Sequence, residues 1–248
     1  MDRTERTISS ACGMIRLDGL TVPMTVRDSI RRCLNDEGIF DFAVTYIAGA
    51  RANYRSMHKL ERSETDPYCY AGTNTLVNKL NIRDEEVLTK KIRDIVPIRI
   101  AELEMHPITS PIGTDYLRKL HRALYGDVFS WAGEFRTTEC DDACRPMFIE
   151  SYLKGLFDGL KKDDYLSGSE DFTKYLAHYY SELSAVRPFR YGNGVCIRVL
   201  MNIIAIMNGR YLDYSKASES LMDIAVRRGI AGDLEQLKEM MDGIIEDY

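Results

Sequence analysis

The run from Val195 to Met207 is apolar except for Arg198 and Asn202, and it follows directly on Gly192-Asn193-Gly194. A helix that is apolar on nearly every side has to be surrounded by the rest of the protein. Its start is equally constrained. Glycines allow close backbone approach, and the first N–H groups of a helix have no partners within it, so together they form a cradle for an anion such as phosphate. The simpler alternative is a turn leading into a core helix, and a short glycine motif does not by itself separate the two.

The remaining periodicity is helical. Apolar residues recur at three- and four-residue spacing in 117–125, 148–160, 172–186, 195–207 and 234–245. Asp84 is placed to cap a helix from Glu85 to Val96, and Pro97 is expected to kink or restart it on the way to Met105. His106-Pro-Ile-Thr-Ser-Pro-Ile-Gly113 reads as a loop. Tyr175, His178, Tyr179 and Tyr180 share one helix as packing residues, and Trp131 is first of all a core residue. An all-α chain is expected, with a polar boundary in the stretch 51–66 dividing residues 1–53 from 54–248.

Composition excludes several functions. The net charge is −5 and the basic residues are scattered, which argues against nucleic acid as a partner. The charged start is no signal peptide, and no apolar run has the length of a membrane span. Six cysteines without framework spacing imply reduced thiols in a cytoplasm, the cell's own or another into which the chain is delivered. Cys140 and Cys144 lack a second Cys/His pair close in sequence, so no metal site is expected.

Beyond the glycines, Arg187-Pro-Phe-Arg-Tyr-Gly-Asn-Gly-Val-Cys-Ile-Arg198 resembles the signature of the Fic family (filamentation induced by cyclic AMP), His-Pro-Phe-x-Asp/Glu-Gly-Asn-Gly-Arg-x-x-Arg. The segment from Leu117 to Arg136, with Trp131-Ala-Gly, is similar to the family's upstream helix. The segment from Asp66 to Leu80 is similar to the entry of bacterial members. The resemblance implies a mainly helical Fic (Fido) fold with a short β-hairpin flap near residues 135–146. It also implies a family activity: transfer of AMP, or another phosphate-containing group, from a nucleotide to a protein hydroxyl.

The departures from that signature bear on the chemistry. Arg187 stands at the position of the catalytic histidine, and a guanidinium accepts no proton. Tyr191 replaces the carboxylate that holds Mg²⁺, which prefers carboxylate oxygen. Val195 replaces the first arginine, and Arg198 keeps the second. A general base is worth roughly 10²–10⁴-fold and a metal ion several kcal/mol, so no catalytic residue is expected. His121 and Glu182 are the side chains that could replace the base from other elements, though nothing in the sequence directs them there. Gly192, Asn193, Gly194, Arg198 and Arg187 are the expected phosphate-binding set.

Residues Ser9 to Leu20 are similar to the antitoxins that inhibit Fic toxins through Ser/Thr-x-x-x-Glu-Gly/Asn. Met14 takes the place of the Ser/Thr and Asp18 that of the glutamate, so the resemblance implies that Asp18 reaches Arg198. A helix around Val26–Leu34 and a second one through Tyr54 complete that segment. The alternative is an ordinary surface helix end at Arg16–Gly19. Three functions fit: a pseudoenzyme that binds a protein partner, a sensor of ATP or another nucleotide without the usual Mg²⁺, and an unusual transferase inhibited by its amino-terminal segment.

Overall fold

Residues 2–36, 39–49, 63–64, 66–163 and 171–248 are described by a computed structural model of the protein. Ten α-helices dominate the described residues. Three precede position 50: α1 (Arg3–Arg16), α2 (Met24–Asn35) and α3 (Phe40–Ala48). The body comprises α4 (Glu85–Met105), α5 (Thr114–Tyr125), α6 (Ile149–Lys162), α7 (Phe172–Val186) and α8 (Asn193–Met207). Strand β1 (Arg210–Leu212), α9 (Glu219–Ile230), α10 (Glu235–Ile244) and β2 (Ile245–Asp247) close the chain. The two strands pair antiparallel, Arg210 opposite Asp247 and Leu212 opposite Ile245.

The apolar run forms α8 and lies where its composition demands. Cys196, Leu200, Met201, Ile204 and Ala205 are buried, against α5, α7, β1 and α1. The periodic segments 117–125, 148–160, 172–186 and 234–245 fall on α5, α6, α7 and α10, with ends shifted by a residue or a few.

Two expectations are corrected. Pro97 does not divide its helix: α4 runs unbroken from Glu85 to Met105, capped by Asp84, whose side chain accepts from the Val87 N–H at 2.9 Å. The proline forgoes one backbone hydrogen bond, while Ile95, Val96, Ile98 and Ile100 around it are fully buried and hold the helix together. The second correction concerns residues 135–146, expected as a β-hairpin flap, which carry no strand. The Arg136 guanidinium occupies this region instead. It donates to the carbonyls of Arg187 (2.7 Å), Thr138 (2.8 Å), Val186 (3.2 Å) and Cys144. Two of these carbonyls, those of Thr138 and Cys144, belong to the segment itself, so its backbone folds around the guanidinium and not across a ladder, and Asp142 turns the chain at φ 55°.

The amino-terminal helices share one continuous core with the body, through Ile8, Ala11, Met14, Ile15, Val26, Ile30 and Val44. Helix α1 is set hard against the turn Tyr214–Lys216. A Cβ at Gly13 would lie 2.5 Å from backbone atoms of both Tyr214 and Ser215. Arg16 ties its far end by donating to the carbonyls of Ala217 (2.6 Å) and Ser215 (3.2 Å). The helix expected around Val26–Leu34 is α2. The next helix starts at Phe40 and ends at Ala48 rather than running on to Tyr54 as expected, because Gly49 leaves the helical conformation (φ 79°); residues 50–54, like most of the boundary stretch 51–66, lie outside the described residues.

Candidate anion site at the start of α8

Three interactions shape the loop between α7 and α8. Arg187 ends α7 in a left-handed conformation (φ 46°), unusual for a residue with a side chain. Asn193 pins the loop on both sides: its Oδ1 accepts from the Phe189 N–H (2.9 Å) and its Nδ2 donates to the Phe189 carbonyl (2.8 Å). Gly192 has φ 77°, and a Cβ there would meet the Tyr125 ring at 2.4 Å. Arg190 is held away from the site by the Asp66 carboxylate, with contacts of 2.6 and 3.1 Å.

Arg198 lies one turn into α8 and is only 3% exposed. Its Nη2 donates to Asp18 Oδ1, which closes an ion pair across 180 residues of sequence. Burial works against its charge, but Asp18 and the Tyr180 hydroxyl more than offset it, and the guanidinium stays protonated. Gly194 faces the same pair: a Cβ there would lie 3.0 Å from Arg198 Nη1 and 3.2 Å from Asp18 Oδ1. The Asp18 carboxylate therefore stands within reach of the first amides of α8, where an anion is favoured.

The other motif positions have surroundings of their own. Arg187 is exposed and its Nη1 donates to Cys140 Sγ at 3.9 Å. Val195 is buried. Tyr191 lies edge-on to Tyr125 and at 62° to Phe129, with centroids 5.8 Å from each. Burial, helped by the charge of Asp18, pushes its phenol up to about 12, so it is neutral at physiological pH. A neutral phenol in an aromatic cluster does not fit Mg²⁺, and among the described residues no three His, Cys, Asp or Glu side chains are grouped to hold a metal ion.

Both candidate substitute bases have partners away from the Asp18–Arg198 pair. His121 is buried and stacked on Phe189 at 3.8 Å. Its Nδ1 accepts from the Gly133 N–H (2.9 Å), so the hydrogen-bond network assigns the proton to Nε2, which donates to the Tyr191 carbonyl (2.9 Å). Burial pushes His121 down to about 4. Glu182 accepts from the Tyr152 hydroxyl. Tyr179 bonds Asp163 (2.7 Å), while Trp131 stacks on Phe129 at 4.4 Å. The sequence reading missed two supports of the site. Tyr180 braces Arg198 and carries no signal beyond its place on an apolar face. Arg136 ends the segment whose sequence resembles the family's, and that resemblance was the available clue.

A model of the Fic/DOC family matches residues 111–205. The probable protein adenylyltransferase Fic of Escherichia coli (strain K12) is 32% identical over 188 residues, covering 73% of this chain and 93% of its own. The protein adenylyltransferase VbhT of Bartonella schoenbuchensis is 31% identical over 172 residues, 67% of this chain and 36% of its own. Among solved structures, the VirB-translocated effector BepC of Bartonella tribocorum, with bound AMPPNP, superposes with a TM-score of 0.68 at 25% identity, over 75% of this chain and all of that one. Fic-1 from C. elegans extends the likeness of fold to 96% of this chain and 68% of its own, with a TM-score of 0.50 at 16% identity. With a relative of this identity matched across most of both chains, and the family model lying over α5 to α8, the chain belongs to the Fic/DOC family.

Proposed function

We propose that the chain is a Fic protein that has lost AMP transfer and acts by binding, with its anion site controlled by Asp18. The observation that carries this reading is the Asp18–Arg198 pair at the Gly194 end of α8, in a site whose remaining positions offer neither base nor hard-metal ligand. Its ligand is ATP or another phosphate-containing molecule, taken without Mg²⁺ by the α8 amides, Arg198 and Arg187. A protein partner is the second element of the reading, met at the remodelled segment 135–146, where Glu139, Asp141 and Asp142 present an acidic edge. The chain works in a reducing cytoplasm, either its own or that of a cell into which it is delivered, the latter supported by its likeness to VirB-translocated Bartonella effectors.

The same pair favours a second reading, a working transferase held in check, because a clamp has more use on an active site than on an inert one. The relatives named adenylyltransferases point the same way. Incubation of the wild-type chain and Asp18→Ala with ATP labelled in its α-phosphate, with and without Mg²⁺, separates the two. The proposal expects no label on the chain itself or on added protein in any arm. Label appearing with Asp18→Ala would establish the second reading.

A further inference from the structure

Behind the α8 anion site lies a cavity of about 290 Å³ between α1, the end of α4 and the second half of α8. Its walls are mostly apolar, among them Met14, Leu103, Val199, Ile203 and Ile206, and Glu104 is its one carboxylate, with Asn202 beside it and Arg3 at its edge. Glu104 receives three hydrogen bonds. Oε2 accepts from Thr7 (2.7 Å), and Oε1 accepts from Tyr211 (3.0 Å) and from Asn202 (3.3 Å). All three donors are neutral. The two cations whose charge acts on Glu104 come from α1, and neither forms an ion pair with it. Arg3 donates to the Tyr248 hydroxyl at 3.5 Å, and Arg6 lies over the Tyr211 and Tyr248 rings at 5.0 and 5.3 Å. No cation touches the carboxylate among the described residues. An anion in an apolar cavity without a contacting counter-charge is costly, and Oε2 has one lone-pair direction left for a donor.

We propose that this cavity is a binding site for a small apolar ammonium, its head on Glu104 and its aliphatic body among the methionine, leucine and isoleucine side chains. An ammonium supplies the missing counter-charge and a donor, and a short alkyl chain matches the walls. A carboxylate head would be repelled by Glu104, and an alcohol would bring the donor without the charge. An occupant would touch Met14 of α1, the helix that leads into the turn holding Asp18, and Val199 of α8, which carries Arg198. The inference does not depend on the lost transfer activity.

Hexylammonium chloride is the probe, with hexanol and hexanoate as controls, titrated calorimetrically into the full chain at pH 6 and pH 8. Burial, partly countered by Thr7, Tyr211 and the two arginines, raises Glu104 to about 7, so its ionised fraction, and with it the association constant for a cation, rises about tenfold between those pH values. The expected order is hexylammonium well above hexanol, with no binding of hexanoate. Glu104→Gln should remove the pH dependence and most of the affinity. Ile203→Trp, which fills the cavity and leaves the carboxylate in place, should abolish binding in a chain whose folding is checked by circular dichroism. Equal binding of hexanol and hexylammonium, or hexylammonium binding unchanged in a folded Ile203→Trp chain, overturns the proposal.

Discussion

Replacing Asp18 with asparagine keeps the volume and an oxygen acceptor beside Arg198 and removes only the charge. Two effects should follow, with opposite signs. The first is on stability. The asparagine oxygen still accepts from a charged guanidinium, and such bonds span about 1.5–3 kcal/mol, so losing the ion–ion part of the pair costs on the order of 1 kcal/mol. Arg198 is buried but the Asp18 side chain is 38% exposed, and water screens part of the pair, which keeps the cost at the lower end. For a chain of this size that lowers Tm by about 2–4 °C. The second effect is on ligand. Asp18 Oδ1 and a phosphate oxygen compete for the same guanidinium and the same helix start. Neutralising it weakens the hold on one guanidinium donor and removes one like charge, so affinity for ATP without Mg²⁺ should rise at least about tenfold, or 1.4 kcal/mol. Calorimetric titration of both chains, at low salt and again at 0.3 M, measures this directly. If Asp18→Asn melts lower yet binds ATP no better than wild type, the carboxylate is a structural clasp and the site is not held against phosphate. If neither quantity moves, the pair carries no weight and the reasoning fails.

Other outcomes follow from the structure. Gly13→Ala places a methyl 2.5 Å from the backbone of the Tyr214–Lys216 turn, an overpacking that should cost about 1–3 kcal/mol in a chemical denaturation curve; an unchanged midpoint would mean that α1 sits looser than described. The triple change Arg187→His, Tyr191→Asp and Val195→Arg should restore labelled AMP transfer if only the reacting groups were lost, and a folded but silent variant would locate the defect in segment 135–146. Two buried groups give opposing pH dependences. His121, lowered to about 4 from 6.5, binds fewer protons folded than unfolded, so its contribution is present above pH 6.5 and is lost as pH falls toward 4. Glu104, raised to about 7 from 4.5, stabilises the fold below pH 4.5 and loses that contribution as pH rises through 7. Glu104→Gln should therefore gain stability over wild type as pH rises from 5 to 8, by about 3 kcal/mol at most; a constant difference across that range would refute the buried-carboxylate account.

Much of this architecture was legible because it rests on local chemistry. The apolar run that became α8 could be placed nowhere but inside, and Asp84 marked the start of α4 through one side-chain acceptor. Pro97 misled because a rule about isolated helices was applied to one buried on several sides, where packing outweighs a single missing hydrogen bond. The segment 135–146 misled differently. A family resemblance predicted a hairpin, whereas the partners of Arg136 are backbone carbonyls brought together only by the tertiary fold. In the site, the Asp18–Arg198 contact followed from aligning two motifs. The occupation of His121 did not, since its partners are the Gly133 amide and the Tyr191 carbonyl and no side-chain pattern reports a backbone group.

Gly13 sets a measure along the first helix. With its backbone resting on the turn Tyr214–Lys216, α1 cannot slide along its axis, and the residue that arrives at Arg198 is fixed by how many positions separate it from that glycine. Inserting or deleting one residue between Gly13 and Asp18 would rotate the carboxylate by about 100° and shift it by about 1.5 Å, enough to present a different side chain to the α8 start. Natural or engineered exchange of this amino-terminal segment among related proteins should then succeed only when glycine and acid travel together at constant spacing, as one indivisible cassette.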